Sequence, residues 1–66
     1  MSFSNKLKDV RIKQNLTQKQ LAELIGIQLR TYKNYETGKT IPRIQTLRKL
    51  SIALNISSDE LLELEL

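Results

Sequence analysis

The chain contains no cysteine, no histidine and no tryptophan, and only 5% of its residues are aromatic. Without cysteine no disulfide can staple the fold, and without cysteine or histidine the usual zinc ligand sets cannot be assembled. Nothing in the sequence implies a cofactor or metal. The same absences remove the commonest nucleophiles and bases. With few carboxylates in the body and only 66 residues, there is no room for a catalytic pocket, so the chain is not expected to be an enzyme and no small-molecule site is evident. A chain this short buries only about 60% of its unfolded surface. Its stability must come from close packing, helped by a second copy where one binds. No apolar run approaches the ~18 residues needed to span a bilayer. The opening residues Met1 to Lys6 lack the apolar core of a signal peptide. A soluble cytoplasmic protein with no membrane partner is the expectation, read as a single domain over residues 1–66.

Proline and glycine are scarce too. There is one proline, Pro42, and two glycines, Gly26 and Gly38. Strand-like alternation, repeats and low-complexity stretches are missing. Apolar residues instead recur at three- and four-residue spacing, which predicts an all-α fold.

What is abundant is positive charge, unevenly placed. All eleven Lys and Arg residues lie between Lys6 and Lys49, opposed there only by Asp9, Glu23 and Glu36. From Leu50 onward there is no basic residue, while Asp59, Glu60, Glu63 and Glu65 are acidic. A basic body with an acidic tail suits a polyanion on one face and a different contact at the C-terminus. An ordinary solvated surface would show a similar excess, so charge alone leaves nucleic acid open.

Two helix starts are well marked. Thr17 is placed to cap a helix with Gln20 as its capping-box partner, flanked by Leu16 and Leu21 at hydrophobic-staple spacing. Ser57, Glu60, Ile56 and Leu61 repeat the pattern. Ser4 is the expected cap of a first helix running to about Gln14, with Leu7 and Val10 inward. Gly26 should end the second helix in a left-handed conformation. A third helix is predicted from about Gln28 to Glu36, ended by Gly38. Pro42 places the start of a fourth near Ile44, running to about Leu54 with Leu47, Leu50 and Leu54 as one stripe. The sum is five short helices.

The stretch Thr17 to Glu36 carries the function. Two short helices joined through Gly26-Ile27-Gln28 have the spacing of a helix-turn-helix, which sets its second helix across the first and into the major groove of DNA. Gly26 tolerates positive φ, and Ala22 is small where the two helices would cross. Leu21, Ile25 and Ile27 would anchor the pair to the core.

The run Leu16-Thr17-Gln18-Lys19-Gln20-Leu21-Ala22-Glu23-Leu24-Ile25-Gly26-Ile27 resembles the phage-repressor and Cro family of helix-turn-helix proteins, also called the xenobiotic-response-element family. Tyr35-Glu36-Thr37-Gly38-Lys39 is similar to its motif after the recognition helix. Pro42, Leu47, Leu50, Ala53 to Ser57 and Glu60-Leu61-Leu62 resemble its fourth and fifth helices. The resemblance implies a lambda-repressor-like all-helical domain that binds double-stranded DNA as a homodimer and regulates transcription, with a repressor expected. It further implies nucleoid association when bound.

On this reading the recognition helix presents Gln28, Leu29, Arg30, Lys33 and Asn34, with Tyr32 and Tyr35 on the core side. Arg30 has the fork to bond guanine O6 and N7, Asn34 and Gln28 the amides for adenine, and Leu29 the apolar contact for a thymine methyl. Arg30 holding phosphate instead stays open. Lys33 suits backbone phosphate. Thr17 and Gln18 at a helix N-terminus suit phosphate as well, and the resemblance implies a DNA-contacting glutamine at position 18. Lys39, Thr40 and Arg43 would grip the backbone beyond the recognition helix, with Arg43 in the minor groove as an alternative. The resemblance also implies an ion pair between Arg11 and Glu36. It departs at Gln28, where relatives often carry Ser or Thr, better N-caps than glutamine.

Leu61, Leu62, Leu64 and Leu66 exceed what so small a core absorbs. Leu61 is expected inside, and Leu62, Leu64 and Leu66 at the interface of a two-fold dimer within residues 56–66. Such a dimer would hold two recognition helices ~34 Å apart on a palindromic operator. The alternative is a protein-interaction or antitoxin-like module on the same fold, favoured by the acidic leucine-rich tail.

Overall fold

The computed structural model describes residues 2–62. Among them are five helices and no strand: α1 (Phe3–Lys13), α2 (Gln18–Ile25), α3 (Leu29–Thr37), α4 (Ile44–Leu54) and α5 (Ser58–Leu61). The core is assembled from one stripe of each. Leu7 and Val10 come from α1, Leu21, Ala22 and Ile25 from α2, Tyr32 and Tyr35 from α3, Leu47, Leu50 and Leu54 from α4, and Leu61 from α5. Each leucine taken fully out of water stabilises the fold by about 1.5–3 kcal/mol. Phe3, Leu16, Ile27, Ala53, Ile56 and Leu62 close the edges of this cluster.

The first helix starts two residues earlier than Ser4 suggested. Ser2 is the N-cap, and its hydroxyl accepts the Asn5 N–H at 3.3 Å. Ser4 lies within the first turn. The helix begins at Phe3, whose ring packs on the core and which a cap at Ser4 would have left outside the helix. α1 closes at Gln14, and Asn15 turns the chain with φ 60°. Asn is one of the few side chains that enter this left-handed region at low cost. Gln14 also reaches across to donate its amide to the Leu54 carbonyl, satisfying one of the free acceptors at the end of α4.

α2 begins with a complete capping box. The Gln20 N–H donates to Thr17 Oγ1 at 3.0 Å, and the Thr17 N–H donates to Gln20 Oε1 at 2.8 Å. It ends at Gly26, φ 74°. Ala22 is buried, and its small side chain lets α2 and α3 lie close. The α2 to α3 connection is Gly26-Ile27-Gln28, and Gln28 is the N-cap of α3 without a side-chain hydrogen bond. α3 therefore starts at Leu29, and it continues one residue beyond Glu36 before Gly38 stops it at φ 81°. Pro42 is buried, and α4 starts two residues later behind Arg43.

The second capping box forms only by half. Ser57 Oγ accepts the Glu60 N–H at 3.0 Å, but no return bond from the Glu60 side chain to the Ser57 N–H is made among the described residues. Glu60 is exposed, and an ionised carboxylate loses little by staying in water instead of returning to the cap. Leu62 sits at the C-cap of α5, half-buried against the core. Leu64 and Leu66 lie outside the described residues. No helix among the described residues is long and apolar enough to cross a membrane.

Candidate nucleic-acid interface

The outer face of α3 is set by what its inner face must bury. Tyr32, Tyr35 and Glu36 are buried, and the two rings meet edge-on with centroids 6.5 Å apart. At 100° per residue those three positions cover one side of the helix. Arg30, Lys33 and Thr37 are left exposed, with Asn34 half-exposed beside them. Leu29 is half-buried at the edge, and Gln28 is exposed immediately before the first turn. The readout candidates Arg30 and Asn34 therefore share one polar surface with Lys33, while Leu29 borders it and Gln28 stands exposed at the N-cap before it. Thr37 belongs to the same surface and was missed in the sequence. It lies two turns after Arg30, and its hydroxyl donates to the Asn34 carbonyl at 3.2 Å.

The face is held rigidly from behind. The Arg11 guanidinium on α1 donates to the Glu36 carboxylate through two nitrogens, Nε to Oε2 at 2.6 Å and Nη2 to Oε1 at 3.2 Å. Arg11 Nη1 donates to the Leu16 carbonyl at 2.7 Å, tying the α1–α2 connection to the same group. Tyr32 donates its hydroxyl to Glu36 Oε2, and Gln18 Nε2 donates to Oε1 at 3.1 Å. One carboxylate thus joins α1, α2 and α3. Burial by itself would raise the Glu36 pKa, but the hydrogen bonds from Arg11, Tyr32 and Gln18 outweigh it and hold the carboxyl below its ordinary value. The bond to Glu36 raises the Arg11 pKa despite desolvation. Burial, then the bond to Glu36, push the Tyr32 phenol well above its usual range, so it stays a donor. No buried side-chain polar atom among the described residues lacks a partner.

Thr17 and Gln18 stand at the N-terminus of α2, where free backbone N–H groups attract anions. Thr17 already uses its hydroxyl in the capping box. Gln18 is half-buried, with its amide nitrogen on Glu36. Lys39, Thr40 and Arg43 are exposed in the segment after α3, and the backbone N–H groups of Lys39 and Thr40 both bond the Asn34 carbonyl. That turn fixes where the segment leaves the helix. The structure thus places the candidates on three neighbouring pieces: the start of α2, the outer face of α3 and the segment that follows it.

A helix-turn-helix family model matches residues 7–61. The chain belongs to the Cro/C1-type helix-turn-helix family. Within it, the chain is 44% identical over 61 residues to the cryptic phage CTXphi transcriptional repressor RstR of Vibrio cholerae, covering 92% of this chain and 54% of that protein. It is 39% identical over 61 residues to the SPbeta prophage-derived regulator YonR of Bacillus subtilis, covering 92% and 56%. It is 37% identical over 62 residues to the transcriptional activator BcrR of Enterococcus faecalis, covering 94% of this chain and 30% of that protein. Among solved structures, a transcriptional regulator from Listeria innocua superposes with a TM-score of 0.90 at 32% identity, covering 98% of this chain and 61% of that one. The chain spans about half the length of the first two relatives. As a helix-turn-helix family member, its second motif helix is α3, and the buried Glu36 at the rear of α3 connects that helix to α1 and to the first motif helix.

Proposed function

We propose that the chain binds double-stranded DNA sequence-specifically and acts as a transcriptional regulator, a repressor by its likeness to the phage repressor RstR. The observation that carries this is the division of α3. Its inner face is locked by Tyr32, Tyr35 and Glu36, and its outer face is a polar surface of Arg30, Lys33, Asn34 and Thr37. Such a surface has the donors and the charge that base edges and phosphates require, on a helix whose inner face is buried and hydrogen-bonded to α1 and α2. Arg30 and Asn34 are the proposed readers, with Gln28 and Leu29 beside them. Thr17, Gln18, Lys33, Lys39, Thr40 and Arg43 are the proposed phosphate contacts.

Gln18 can serve in two places at once. A primary amide nitrogen carries two N–H groups. One is directed at Glu36, and the other remains available for a phosphate at the start of α2. The carboxylate then orients the DNA contact. A homodimer through Leu62 and the residues after it, on a palindromic site, completes the reading. Selection of bound sequences from random duplex DNA tests it. The wild type should yield one consensus, and Arg30→Ala should relax it at one or two positions, costing ~1–3 kcal/mol at each. Lys39→Ala should weaken all sequences alike and reduce the salt slope by about one. Binding that ignores sequence in the wild type would overturn the proposal.

A further inference from the structure

The segment between α3 and α4 turns its isoleucine outward. Ile41 is 75% exposed, and Ile44, the first residue of α4, is 60% exposed. Pro42 between them is buried. A proline holds the residue before it in extended backbone, and Arg43 is itself extended, with φ −68° and ψ 166°. The segment therefore crosses the surface as an extended strap pinned at Pro42. A shallow hollow of about 170 Å³, lined by Phe3 and Tyr35, lies beside Ile41, yet most of the side chain stays in water. Threonine would hold the same β-branched, extended backbone with less apolar surface exposed, so conformation does not explain the isoleucine. Charge limits what can cover it. Lys39 and Arg43, both exposed, flank Ile41 on either side. From Thr37 to Ser58 the chain holds Lys39, Arg43, Arg48 and Lys49 and no acid. Glu36 is buried and paired with Arg11. A second copy docked on Ile41 about a two-fold axis would set these cations against their own counterparts, since the same patch then meets itself. A neutral surface gains nothing from them, whereas a polyanion does. DNA also supplies apolar surface in the matching order, because each strand alternates phosphates with deoxyribose rings edged by C–H groups. The strap alternates in the same way, with Lys39 and Thr40, then Ile41, then Arg43. Thr40 and Arg43 lie at most about 11 Å apart along an extended backbone, the scale of a few nucleotides of one strand at about 3.4 Å of rise each.

We propose that Ile41 packs on a deoxyribose between the phosphates held by Thr40 and Arg43, and that it makes the strap a reader of DNA backbone shape. This contact rests on the DNA-binding reading above and adds to it an interaction that is neither ionic nor to a base edge. Apolar packing depends on where the sugar lies. That position follows the width of the minor groove, which varies with sequence. Ile41 therefore contributes specificity at base pairs that α3 does not touch, while Lys39 and Arg43 supply attraction that every sequence shares.

Titration of the full chain with its selected duplex at several salt concentrations tests the contact. Ile41→Ala should weaken binding about fivefold to twentyfold, because three carbons leave a partly covered apolar contact. The slope of log K against log salt should not change, since no phosphate contact is lost. Lys39→Ala should instead reduce that slope by about one. Ile41→Leu keeps the volume and should recover most of the affinity. Selection from random duplexes with Ile41→Ala should keep the bases read by α3 and flatten the preference at the pairs beside them. Circular dichroism melting checks that each variant is folded. Sedimentation of the free protein should be the same for wild type and Ile41→Ala. Ile41→Ala binding as tightly as wild type, a changed salt slope, or unchanged preference at the flanking pairs would each overturn the proposal. So would altered self-association of the free variant, which would assign Ile41 to a second copy. Each of these leaves DNA binding itself standing. A wild type that ignores sequence would remove the DNA-binding reading, and it is seen before any variant is made.

Discussion

Replacing Glu36 by alanine should be among the most damaging single changes in the molecule. The carboxylate accepts hydrogen bonds from Arg11, Gln18 and Tyr32. The side chains of Arg11 and Glu36 are only 10% and 3% exposed. Removing the acid strands a buried cation and a buried phenol, and breaking a buried pair this way costs about 3–5 kcal/mol. Arg11 keeps its bond to the Leu16 carbonyl, which favours the lower end, about 3 kcal/mol. A domain of this length has a total stability of roughly 3–10 kcal/mol, so the loss is a third of it or more. The melting temperature should fall by roughly 12–24 °C. Glu36→Gln retains an acceptor oxygen and should lose less. The pH dependence has a definite sign. The folded-state pKa of Glu36 lies below its ordinary 4.5, so its contribution is complete above that value and disappears as the pH falls through the lower, folded value. Thermal melts by circular dichroism should therefore show the gap between wild type and Glu36→Gln closing in acid. A Glu36→Ala melting point within about 2 °C of wild type at neutral pH would refute the central role of the carboxylate.

Three further outcomes follow from local geometry. Thr17→Ala removes one half of the capping box and should cost about 1 kcal/mol in urea unfolding, with Thr17→Ser close to neutral. Gly26→Ala meets no atom within 4 Å, so its cost is the left-handed backbone alone, about 1–2 kcal/mol; a neutral result would mean that the turn relaxes to another conformation. Gln18→Glu sets a second carboxylate against Glu36 and a negative charge where a phosphate is proposed. It should lower both the melting temperature and DNA affinity, whereas Gln18→Ala should lower affinity more than stability.

The parts of the fold that could be read from sequence are those governed by neighbours in the chain. Thr17 and Gln20 are three residues apart, and their reciprocal bonds need only one helical turn to form. Gly26 and Gly38 were legible for the same reason, as both sit where a helix must stop and φ is positive. Ser4 misled because the choice between two serines is not local. It depends on Phe3 reaching the core from inside the helix. The network around Glu36 lies further from view. Arg11 is 25 residues away and came within reach only through a family likeness, while Tyr32 looked like a purely apolar filler and Gln18 like a purely surface contact. Both turn out to donate to one carboxylate because a buried acid must fill its acceptor sites once water is gone. Periodicity reports which side of a helix faces inward, not which inward polar atom needs a partner. The consequence for function is physical: the helix proposed to read DNA is oriented by a charge on its rear face, and the glutamine proposed to touch phosphate is oriented by that same charge. Changes at Glu36 should therefore alter DNA affinity even in a variant stable enough to stay folded.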